Sequence, residues 1–573
     1  GLVGSEMCIR DRYQERKEPI PFWRACVGFV WQGYTHLIPI CQRNVKGSPL
    51  CFPPDEGVLP VLLYAHAEGL CDAHGEALDV DGGGRVWYRE SKQPLGNLRP
   101  PTPETIRAQV RAILSTPAGE PPSDLDLALA TCPRAEQIRM RKSLPEVTQA
   151  ELANLRRAPV IVSWDKQSYT QPLAHIRKGH RGIGDHALTL FRTDRSMVFD
   201  QSHIFFDGMW GMAVAEIVTN QAIGWYNYFA DQPVVSQEVS ARLPLKLTNS
   251  PEVLPLVQKH CRFCEAAAES DRISAGGIRR LRKWLKQRGA RLTVNDLLLL
   301  YRSFHAAQYA LSESAESALD TFRHRVKSSE YKPIKEMIDQ TLARFRDINP
   351  ALLMPVDASN VSPRERLYPV TFRNPLQDLP AVYAGTREAY QAYHKRHSKK
   401  YWRAFDEQRR ELLAYLKAFG EFVDTLRAIT MRGESLNAAT LRLLGHLPPP
   451  MQYLLDQIPQ RIGVLNEVIK GNEVFSNGGR VAPGSSLRRF LSAKDDGSTK
   501  ELVWGVLSDD EERMRISLRD FRPFVPMLLA LGESQLADML AQDYLDSYVD
   551  GFNRFVADLS TLITVQEPET VKK

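Results

Sequence analysis

Short apolar runs predict strands in the middle of the chain. They cover 159–163, 186–191 and 196–202, and each has the length of an ordinary strand. The period then changes, because apolar residues recur with helical spacing from about 209 to 228. This segment predicts an amphipathic helix whose apolar face carries Met212, Ala213, Ile217 and Ala222.

Proline and glycine clusters interrupt the apolar runs from 13 to about 100, and they predict a largely irregular region there. Within it, 58–76 fits a helix, and Val86–Tyr88, directly after three glycines, fits a strand. Further on, a helix is predicted from Pro103 to about Leu114. A capping-box pattern from Thr148 to Glu151 predicts the start of another short helix.

Two helices are predicted between Ser274 and Tyr309. Ser274 would cap the first helix and Gly289 would end it, whereas Thr293 would begin the second. Their buried faces would carry Ile278, Leu281, Trp284, Leu285 and the run Leu297–Leu300.

Later segments predict a long helical region and a second group of strands. Dense charge with interspersed aromatic residues indicates partly solvent-facing helices from about 385 to 432, and 436–470 continues them. We interpret about 385–470 as a helical insertion in a mixed α/β (α+β) chain. Further strands are predicted at 474–477, 485–491, 501–507 and 514–518, before a helical tail around 528–540.

Composition excludes several classes of protein. The chain has 573 residues, of which 43 % are hydrophobic and 25 % charged, so it is neither fibrous nor largely disordered. A net charge of +6 is too small to indicate nucleic acid as a partner. The longest apolar stretch, 22–41, contains Arg24 and His36, so no transmembrane segment is predicted.

Eight cysteines without repeated spacing do not predict a disulfide scaffold, and no signal peptide precedes them. A reducing, cytoplasmic setting is therefore expected. His260 to Cys264 contains one Cys-x-x-Cys pair, which fits two ordinary thiols better than a zinc site, so no metal is expected. Gly1–Arg12 resembles a translated sequencing-library adaptor from an environmental assembly, and we expect the encoded protein to start near Tyr13.

The pattern H-x-x-x-D-G follows the third predicted strand, with His203, Asp207 and Gly208 before the predicted helix. A histidine at a strand end has a rigid support, and its imidazole titrates near neutrality, so it can accept and return a proton. The apolar residues 204–206 would favour the neutral, basic ring. Asp207 would cap the helix or pair with an arginine, and Gly208 permits the turn. A buried histidine beside an ordinary Asp-Gly turn would show the same pattern.

Ser202–Gly208 resembles the H-H-x-x-x-D-G signature of the coenzyme A-dependent acyltransferase superfamily, which has the chloramphenicol acetyltransferase-like fold. Here Ser202 replaces the first histidine. The segment 274–309 is similar to the helix-T-x-N-D-helix segment of condensation domains and wax ester synthases. Leu447–Pro450 and Phe475–Arg480 resemble the proline and S-N-x-x-G segments of the wax ester synthase branch.

The resemblance implies two chloramphenicol acetyltransferase-like subdomains, each a mixed sheet flanked by helices, at 13–240 and 241–573. The histidine of such proteins lies in a tunnel between the subdomains, where the acyl thioester meets the acceptor. His203 would then be the general base. Asp207 would be structural, in a pair with an arginine that the sequence does not identify.

Further site residues follow by analogy. The segment 504–517 is similar to the closing strands of choline/carnitine acyltransferases, and Ser492 keeps the first serine of their S-T-S motif. Ser485, Ser486 and Ser492 are candidate donors to the oxyanion, although ordinary turn or strand hydroxyls would look alike. Asn477 is expected near the interface between the subdomains, or in a turn.

A basic run begins at Arg279, Arg280 and Lys283 and continues to Arg291. It could bind the phosphates of coenzyme A or the acidic helix of an acyl carrier protein, or it could be the solvated face of a helix. No pattern of aromatic residues for base stacking accompanies the run, so it does not indicate nucleic acid.

The resemblance therefore implies an acyltransferase that moves an acyl group from coenzyme A or carrier-bound pantetheine to a hydroxyl or amine. Acyl-coenzyme A would be a co-substrate, with no permanently bound cofactor. Two alternatives are a carnitine/choline-type O-acyltransferase with a small polar acceptor, and a binding or scaffold member that lacks turnover.

Overall fold

The computed structural model describes residues 20–55, 57–66, 69–117, 124–132, 134–202, 208–230, 232, 245, 247, 251–260, 264–347, 351–355, 367–371, 379–431, 473–492 and 500–566. These residues form two compact units, one ending at His260 and the other beginning at Cys264. Both units combine sheets with helices, which confirms the predicted mixed α/β class. Several predicted features lie outside the described residues, namely Gly1–Arg12, His203, Asp207, Cys261 and the helix at 436–470.

The N-terminal unit consists of β1 (Cys26–Trp31), β2 (Tyr34–Pro39), β3 (Leu50–Phe52), β4 (Val61–Leu62), β5 (Tyr64–His66), β6 (Gly69–Cys71), β7 (Ala77–Val80), β8 (Arg85–Tyr88), β9 (Pro94–Leu98), α1 (Pro103–Leu114), α2 (Asp124–Thr131), α3 (Arg134–Ser143), α4 (Glu146–Leu155), β10 (Val160–Gln167), α5 (Leu173–Ile176), β11 (Leu188–Thr193), β12 (Met197–Gln201), α6 (Gly208–Ala230) and α7 (Val253–His260). The helix predicted from Pro103 is confirmed as α1, and the strand at Val86–Tyr88 as β8.

A five-stranded sheet in the order β12-β11-β10-β1-β2 supports the motif. β1, β10 and β11 are parallel, whereas β12 runs antiparallel to β11 and forms one edge of this described sheet. The three strands predicted between 159 and 202 are confirmed as β10, β11 and β12. The helix predicted after them is confirmed as α6.

The described residues between 20 and 100 are not irregular, and the helix predicted at 58–76 is wrong. Seven strands, β3 to β9, form an antiparallel sheet in the order β4-β3-β9-β8-β7-β6-β5. The glycine and proline clusters lie at or between the ends of these short strands, where hairpins turn. Single apolar residues from successive strands and from the connection at Leu63 build the small core beneath them, including Leu70, Leu78 and Val86.

Two further predictions for this unit need correction. Thr148 is buried inside α4, which begins at Glu146 after Pro145 without a side-chain cap, so the capping box does not form. In α6, the residues Ala213, Ile217 and Ala222 of the predicted apolar face are exposed. Among the α6 side chains whose burial the structure describes, the fully buried ones are Gly211 and Ala215, one turn apart.

The C-terminal unit consists of β13 (Ala266–Ser274), α8 (Ala275–Gln287), α9 (Val294–Gln308), α10 (Glu313–Arg325), α11 (Ser328–Asp347), β14 (Ala351–Pro355), β15 (Leu367–Thr371), α12 (Leu379–Arg396), α13 (Lys399–Met431), β16 (Glu473–Arg480), β17 (Leu502–Ser508), β18 (Arg513–Asp520), α14 (Phe524–Ala530) and α15 (Ser534–Thr564). Its main sheet has the order β13-β18-β17-β16, with β16 and β17 parallel. One large core covers the helical face of this sheet, and α15 contributes more of its residues than any other element.

The helix pair predicted at 274–309 is confirmed as α8 and α9. Ser274 accepts a hydrogen bond from Gly277 N, and the helix ends before Gly289. At the start of α9, Thr293 and Asp296 form a reciprocal capping box, with bonds of 2.6 and 3.2 Å. The run Leu297–Leu300 is buried, as predicted.

One prediction for the C-terminal unit is wrong. The segment 485–491 is not a strand, because it crosses the sheet and is not hydrogen-bonded along a neighbouring strand. The partly exposed helices predicted from about 385 to 432 are confirmed as α12 and α13, and Trp402, Phe405 and Leu416 of α13 are buried in the main core. The charged residues of α12 and α13 therefore lie on one face of each helix, and the other face packs against the main core.

None of the helices in the described part of the chain has the length and apolar content needed to cross a bilayer. The six cysteines within that part are thiols, and no three His, Cys, Asp or Glu side chains there could hold a metal ion together.

Candidate functional site

The described residues frame the H-x-x-x-D-G motif on both sides. Ser202, directly after β12, is buried, and its backbone N–H donates to Ala187 O at 2.9 Å. Gly208 is the first residue of α6, a helix of 23 residues. The short connection that carries His203 and Asp207 therefore joins the end of β12 to the start of α6, a strand and a helix that the sequence predicts.

Gln201 fastens the end of β12 to the first turn of α6. Its side-chain Nε2 donates to Gly211 O at 2.8 Å. A Cβ at Gly211 would lie against Oε1 of Gln201, so a larger residue there would force the Gln201 side chain to shift. This hydrogen bond therefore ties the strand before the motif to the helix after it.

Asp200 fastens the other face of β12 to an arginine-rich loop. Its Oδ1 lies 3.3 Å from Arg177 Nη2, and its Oδ2 pairs with Arg181 Nη1. Only 17 % of the Asp200 side chain and 11 % of the Arg181 side chain are exposed, so the pair is largely shielded from solvent. Because successive strand residues point to opposite faces, Asp200 and Gln201 hold the strand end from its two sides.

The arginine-rich loop, 177–186, is itself anchored. Arg181 Nε donates to Ala130 O at 3.0 Å, and burial lowers the pKa of its guanidinium while Asp200 opposes that effect. The ring of His186 bonds Ala158 O at 2.6 Å. Gly182 has a φ of +68°, and a Cβ there would lie 2.6 Å from His186 Nε2. This loop is therefore a packed support for Asp200. Beside it lies a small pocket lined by His180, Arg181, Gly182, Thr35 and Asp126.

Ser492 and Asn477 lie near β16 but on opposite faces of it. Ser492 Oγ donates to Ser476 Oγ at 2.9 Å, whereas Asn477 Nδ2 donates to Asn295 Oδ1 at 2.6 Å, at the start of α9. Ser476 and Asn477 are consecutive residues of a strand with regular pairing, so their side chains diverge. The structure does not bring these two candidate donors to one point.

The segment with Ser485, Ser486 and Ser492 crosses the face of the C-terminal sheet that is turned away from the helices. Ser485 is buried and its Oγ accepts from Leu487 N at 3.1 Å, while Ser486 is exposed. Arg519 donates to Ser492 O at 3.2 Å and to Glu265 at 2.6 Å. This second face is polar and buried, in contrast to the apolar helical face.

The basic run of α8 is largely on the surface. Arg279, Arg280 and Lys283 are exposed, and Arg279 pairs with Glu512 in the turn between β17 and β18. Glu512 also lies 3.6 Å from Arg480 at the end of β16. The run therefore presents positive charge near the strand end that carries Asn477.

A buried polar cluster in the C-terminal core was not predicted from the sequence. Arg302 pairs with Glu473, stacks on the Trp504 ring at 4.5 Å and donates to Tyr544 OH at 3.1 Å. Burial alone would lower the pKa of Arg302, but the carboxylate of Glu473 outweighs it and raises the pKa. His305 packs against Tyr544 with ring centroids 4.6 Å apart, and burial, helped by Arg302, lowers the pKa of His305 well below 6.5.

The residues that hold β12 were also missed, although the sequence carries signals for them. The loop 177–186 is rich in arginine and glycine, a composition that indicates a tight, charged turn. Asp200 interrupts an otherwise apolar strand three residues before His203. A charge inside a strand next to a basic loop indicates an ion pair, but only the topology shows which partners meet.

No family model matches the chain, and no curated protein matches it. Among solved structures, the chain is similar to the epimerization domain from the third module of tyrocidine synthetase B. The similarity covers 70 % of this chain and 80 % of that one, at 12 % sequence identity and a TM-score of 0.23. Similarity at this level carries no argument about function.

Proposed function

We propose that the protein is an acyltransferase that moves an acyl group from a thioester to a hydroxyl or amine, with His203 as the general base. The observation that carries the proposal is the frame of the H-x-x-x-D-G motif. The strand before it, the glycine at the helix start and the helix after it all occur where the motif requires them. The resemblance to the coenzyme A-dependent acyltransferases supplies the chemistry.

In the proposed reaction, the neutral His203 ring takes the proton of the acceptor hydroxyl or amine as its oxygen or nitrogen attacks the thioester carbonyl. The new C–O or C–N bond forms, and a tetrahedral oxyanion develops. When the oxyanion collapses, the C–S bond breaks. The imidazolium then returns its proton to the departing thiolate, so the histidine ends the cycle in its starting form.

The donor would be acyl-coenzyme A as a co-substrate, or an acyl carrier protein that presents the same pantetheine thiol. The exposed Arg280 and Lys283 of α8 support both options, because each donor carries negative charge. Ser492 and Asn477 remain candidates for polar contacts with the reacting groups. Asp207 remains proposed as a structural partner of an arginine.

The test is acyl transfer by the purified protein with a panel of acyl-coenzyme A donors and mixed alcohols, amines and small polar acceptors. Release of thiol and the mass of the acylated product are both measured. We expect His203→Ala to lower kcat by at least about 100-fold, since a general base contributes roughly 10² to 10⁴. His324→Ala, at an exposed position on α10, is the matched control and should leave the rate unchanged.

If wild type and His203→Ala form product equally fast, the assignment of the base is wrong. If wild type binds the thioesters in calorimetry but forms no product with any acceptor, the acyltransferase proposal fails and the protein is a binding member of this fold. Product formed only with carnitine- or choline-like acceptors would identify the O-acyltransferase alternative.

A further inference from the structure

The helix α6 exposes a large amount of apolar surface. Among the described residues, every one from Asn220 to Tyr228 is exposed. The large side chains of this helix that are between 47 and 56 % exposed include Trp210, Ile217, Trp225 and Tyr228. Single exposed apolar residues are ordinary, but several large ones on one helix indicate a surface that another molecule covers.

These side chains lie along one face of the helix. Steps of four and three residues alternate from Trp210 to Tyr228, a spacing that keeps side chains in line and with which two helices pack along their length. Gly211 and Ala215, which are buried, lie about 100° to 140° around the helix from Trp210. The α6 stripe is the set Trp210, Ala213, Val214, Ile217, Gln221, Gly224, Trp225 and Tyr228.

Aromatic contacts give the C-terminal part of the α6 stripe a defined shape. The Trp225 ring stacks on Phe229 with centroids 5.7 Å apart, and it meets the Tyr228 ring edge-on at 5.6 Å. Arg107 of α1 lies over the Phe229 ring at 5.0 Å. Rings that already hold one another lose little conformational entropy when a partner covers them, so this surface is preorganised for binding.

The α6 stripe is complementary to a reversed copy of itself. In two antiparallel helices related by a two-fold axis at Thr219, residues equally far on either side of 219 face each other. Trp225 then faces Ala213 of the second copy, and Val214 faces Gly224, so a larger side chain meets a smaller one in both pairs. A parallel pair would instead place tryptophan against tryptophan and glycine against glycine. We infer that α6 forms an antiparallel interface with a second copy of this chain.

The area of the α6 stripe agrees with a dimer. An aromatic side chain covers roughly 150 to 250 Å². At the exposures of Trp210, Trp225 and Tyr228, these three rings offer roughly 250 to 400 Å² per chain. Two copies bring together about twice that area, and Ile217 and Gln221 add to it. The pair therefore approaches the roughly 1,000 Å² that a specific interface needs.

The charges of α6 favour a second copy over a lipid surface. The helix contains one charged residue, Glu216, and neither lysine nor arginine. Helices that lie on membranes usually carry lysine and arginine on their polar face. In the antiparallel pair, by contrast, the two Gln221 residues lie about 6 Å apart along the axis. Their amides can hydrogen-bond there, and a polar residue inside an apolar seam fixes the register of paired helices.

Sedimentation velocity of the full chain from about 1 to 100 µM tests the interface. We expect wild type to reach twice the mass of one chain. Tyr228→Glu should raise the dissociation constant about 30-fold or more, because it buries a charge in the interface. Tyr226→Glu is the matched control, since Tyr226 is 73 % exposed on the opposite side of the helix, and it should stay dimeric. Circular dichroism should be the same for all three proteins.

A reciprocal exchange tests the antiparallel register. Trp225→Ala should weaken association by leaving a gap opposite Ala213, and Ala213→Trp should weaken it by crowding Trp225. The two changes combined in one chain should restore the dissociation constant to within about threefold of wild type, because large and small positions exchange places. Residues 213 and 225 are about 18 Å apart along one helix, so such a rescue requires a second copy.

The inference is overturned if wild type remains a single chain up to 100 µM, or if Tyr226→Glu weakens association as much as Tyr228→Glu. Failure of the exchange to restore association would overturn the antiparallel pairing. A single chain that floats with vesicles of phosphatidylcholine and phosphatidylglycerol would assign the α6 stripe to a lipid surface instead. None of these measurements uses a thioester, so the inference does not depend on the proposed acyl transfer.

Discussion

The two units of the molecule bury their charges in different ways. In the C-terminal unit, a single large core extends from β13 to α15 and encloses Arg302 and Glu473, which are 1 % and 2 % exposed. In the N-terminal unit, four smaller clusters share the apolar residues, and the pair of Asp200 with Arg181 lies at a strand end, 17 % and 11 % exposed.

The difference in solvent exposure determines how much each ion pair can contribute to stability. A pair enclosed in a dry core gains strong attraction but only after a large loss of hydration, so breaking it leaves an uncompensated charge. A pair at a partly solvated strand end costs less to form and less to lose. Removing one partner should therefore cost more stability at the C-terminal pair than at the N-terminal pair.

The largest expected effect comes from breaking the core pair on one side. Glu473→Gln keeps the volume but leaves the guanidinium of Arg302 buried beside Trp504 without a carboxylate. We expect the free energy of unfolding of the C-terminal unit to fall by roughly 3 to 5 kcal/mol. Urea unfolding followed by tryptophan fluorescence, to which the fully buried Trp504 contributes, measures it.

The comparison supplies the control. Replacing both partners together, Arg302→Met with Glu473→Leu, should recover most of the loss, because no unpaired charge remains. Asp200→Asn should destabilise its own unit clearly less than Glu473→Gln destabilises the other. Equal losses in the two units would contradict the distinction between an enclosed pair and a peripheral one.

Local signals predicted the parts of the fold that depend on neighbouring residues. The helices α8 and α9 were predicted with their caps, because Ser274 and Thr293 act on backbone groups within one turn. Except for β8, the strands of the sheet β3 to β9 were missed, because they have only two to five residues each and gain stability from pairing across hairpins. No periodicity develops over so few positions.

The candidate site shows the same division. The strand before His203 and the start of α6 at Gly208 follow from local pattern. The contacts of Asp200 join segments about 20 residues apart, and those of Arg302 with Glu473 join segments about 170 apart. Such pairs depend on topology, which a single sequence does not reveal. Strand register likewise decides that Ser492 and Asn477 lie on opposite faces of β16.

A smaller loss of stability is expected at acidic pH, and it tests whether water is excluded from the C-terminal core. His305 is buried, and its pKa is held well below 6.5, so the folded protein keeps the ring neutral while the unfolded chain takes up a proton. Its contribution to stability is complete above about pH 6.5 and is lost as the pH falls below that value. The loss should be about 1.4 kcal/mol per pH unit until the folded pKa is reached.

The variant His305→Phe tests this slope, because a phenyl ring fills the space against Tyr544 without titrating. The unfolding free energy is compared at pH 7.5 and 5.5 for both proteins. The groups around the ring are Tyr301, Arg302, Tyr309, Arg522, Tyr544 and Tyr548. None of the tyrosines or arginines titrates in that range, so a slope that persists in His305→Phe would assign the acid sensitivity elsewhere.

The smallest effect on stability is expected at the surface of the C-terminal unit, where charge is free to act on a partner. Reversing Arg280 and Lys283 together to Glu should change the unfolding free energy by no more than about 0.5 kcal/mol, since both are exposed. The same change should lower kcat/KM for a negatively charged thioester donor several-fold at low salt. The loss should shrink as ionic strength rises, because salt screens exposed charges.

The matched control reverses Lys395 and Lys400, which are exposed at the junction of α12 and α13 and change the net charge by the same amount. If both double variants lower kcat/KM equally, net charge is responsible and α8 is not the surface that the donor approaches. If only the α8 variant has a lower kcat/KM, its kcat/KM is compared between coenzyme A and carrier-bound pantetheine as donors. A protein partner spans more of the helix than a phosphate group does, so this comparison identifies the donor. A core variant such as Glu473→Gln should lower the unfolding free energy rather than change the preference between donors. The unfolding free energy and kcat/KM therefore report on the two regions separately.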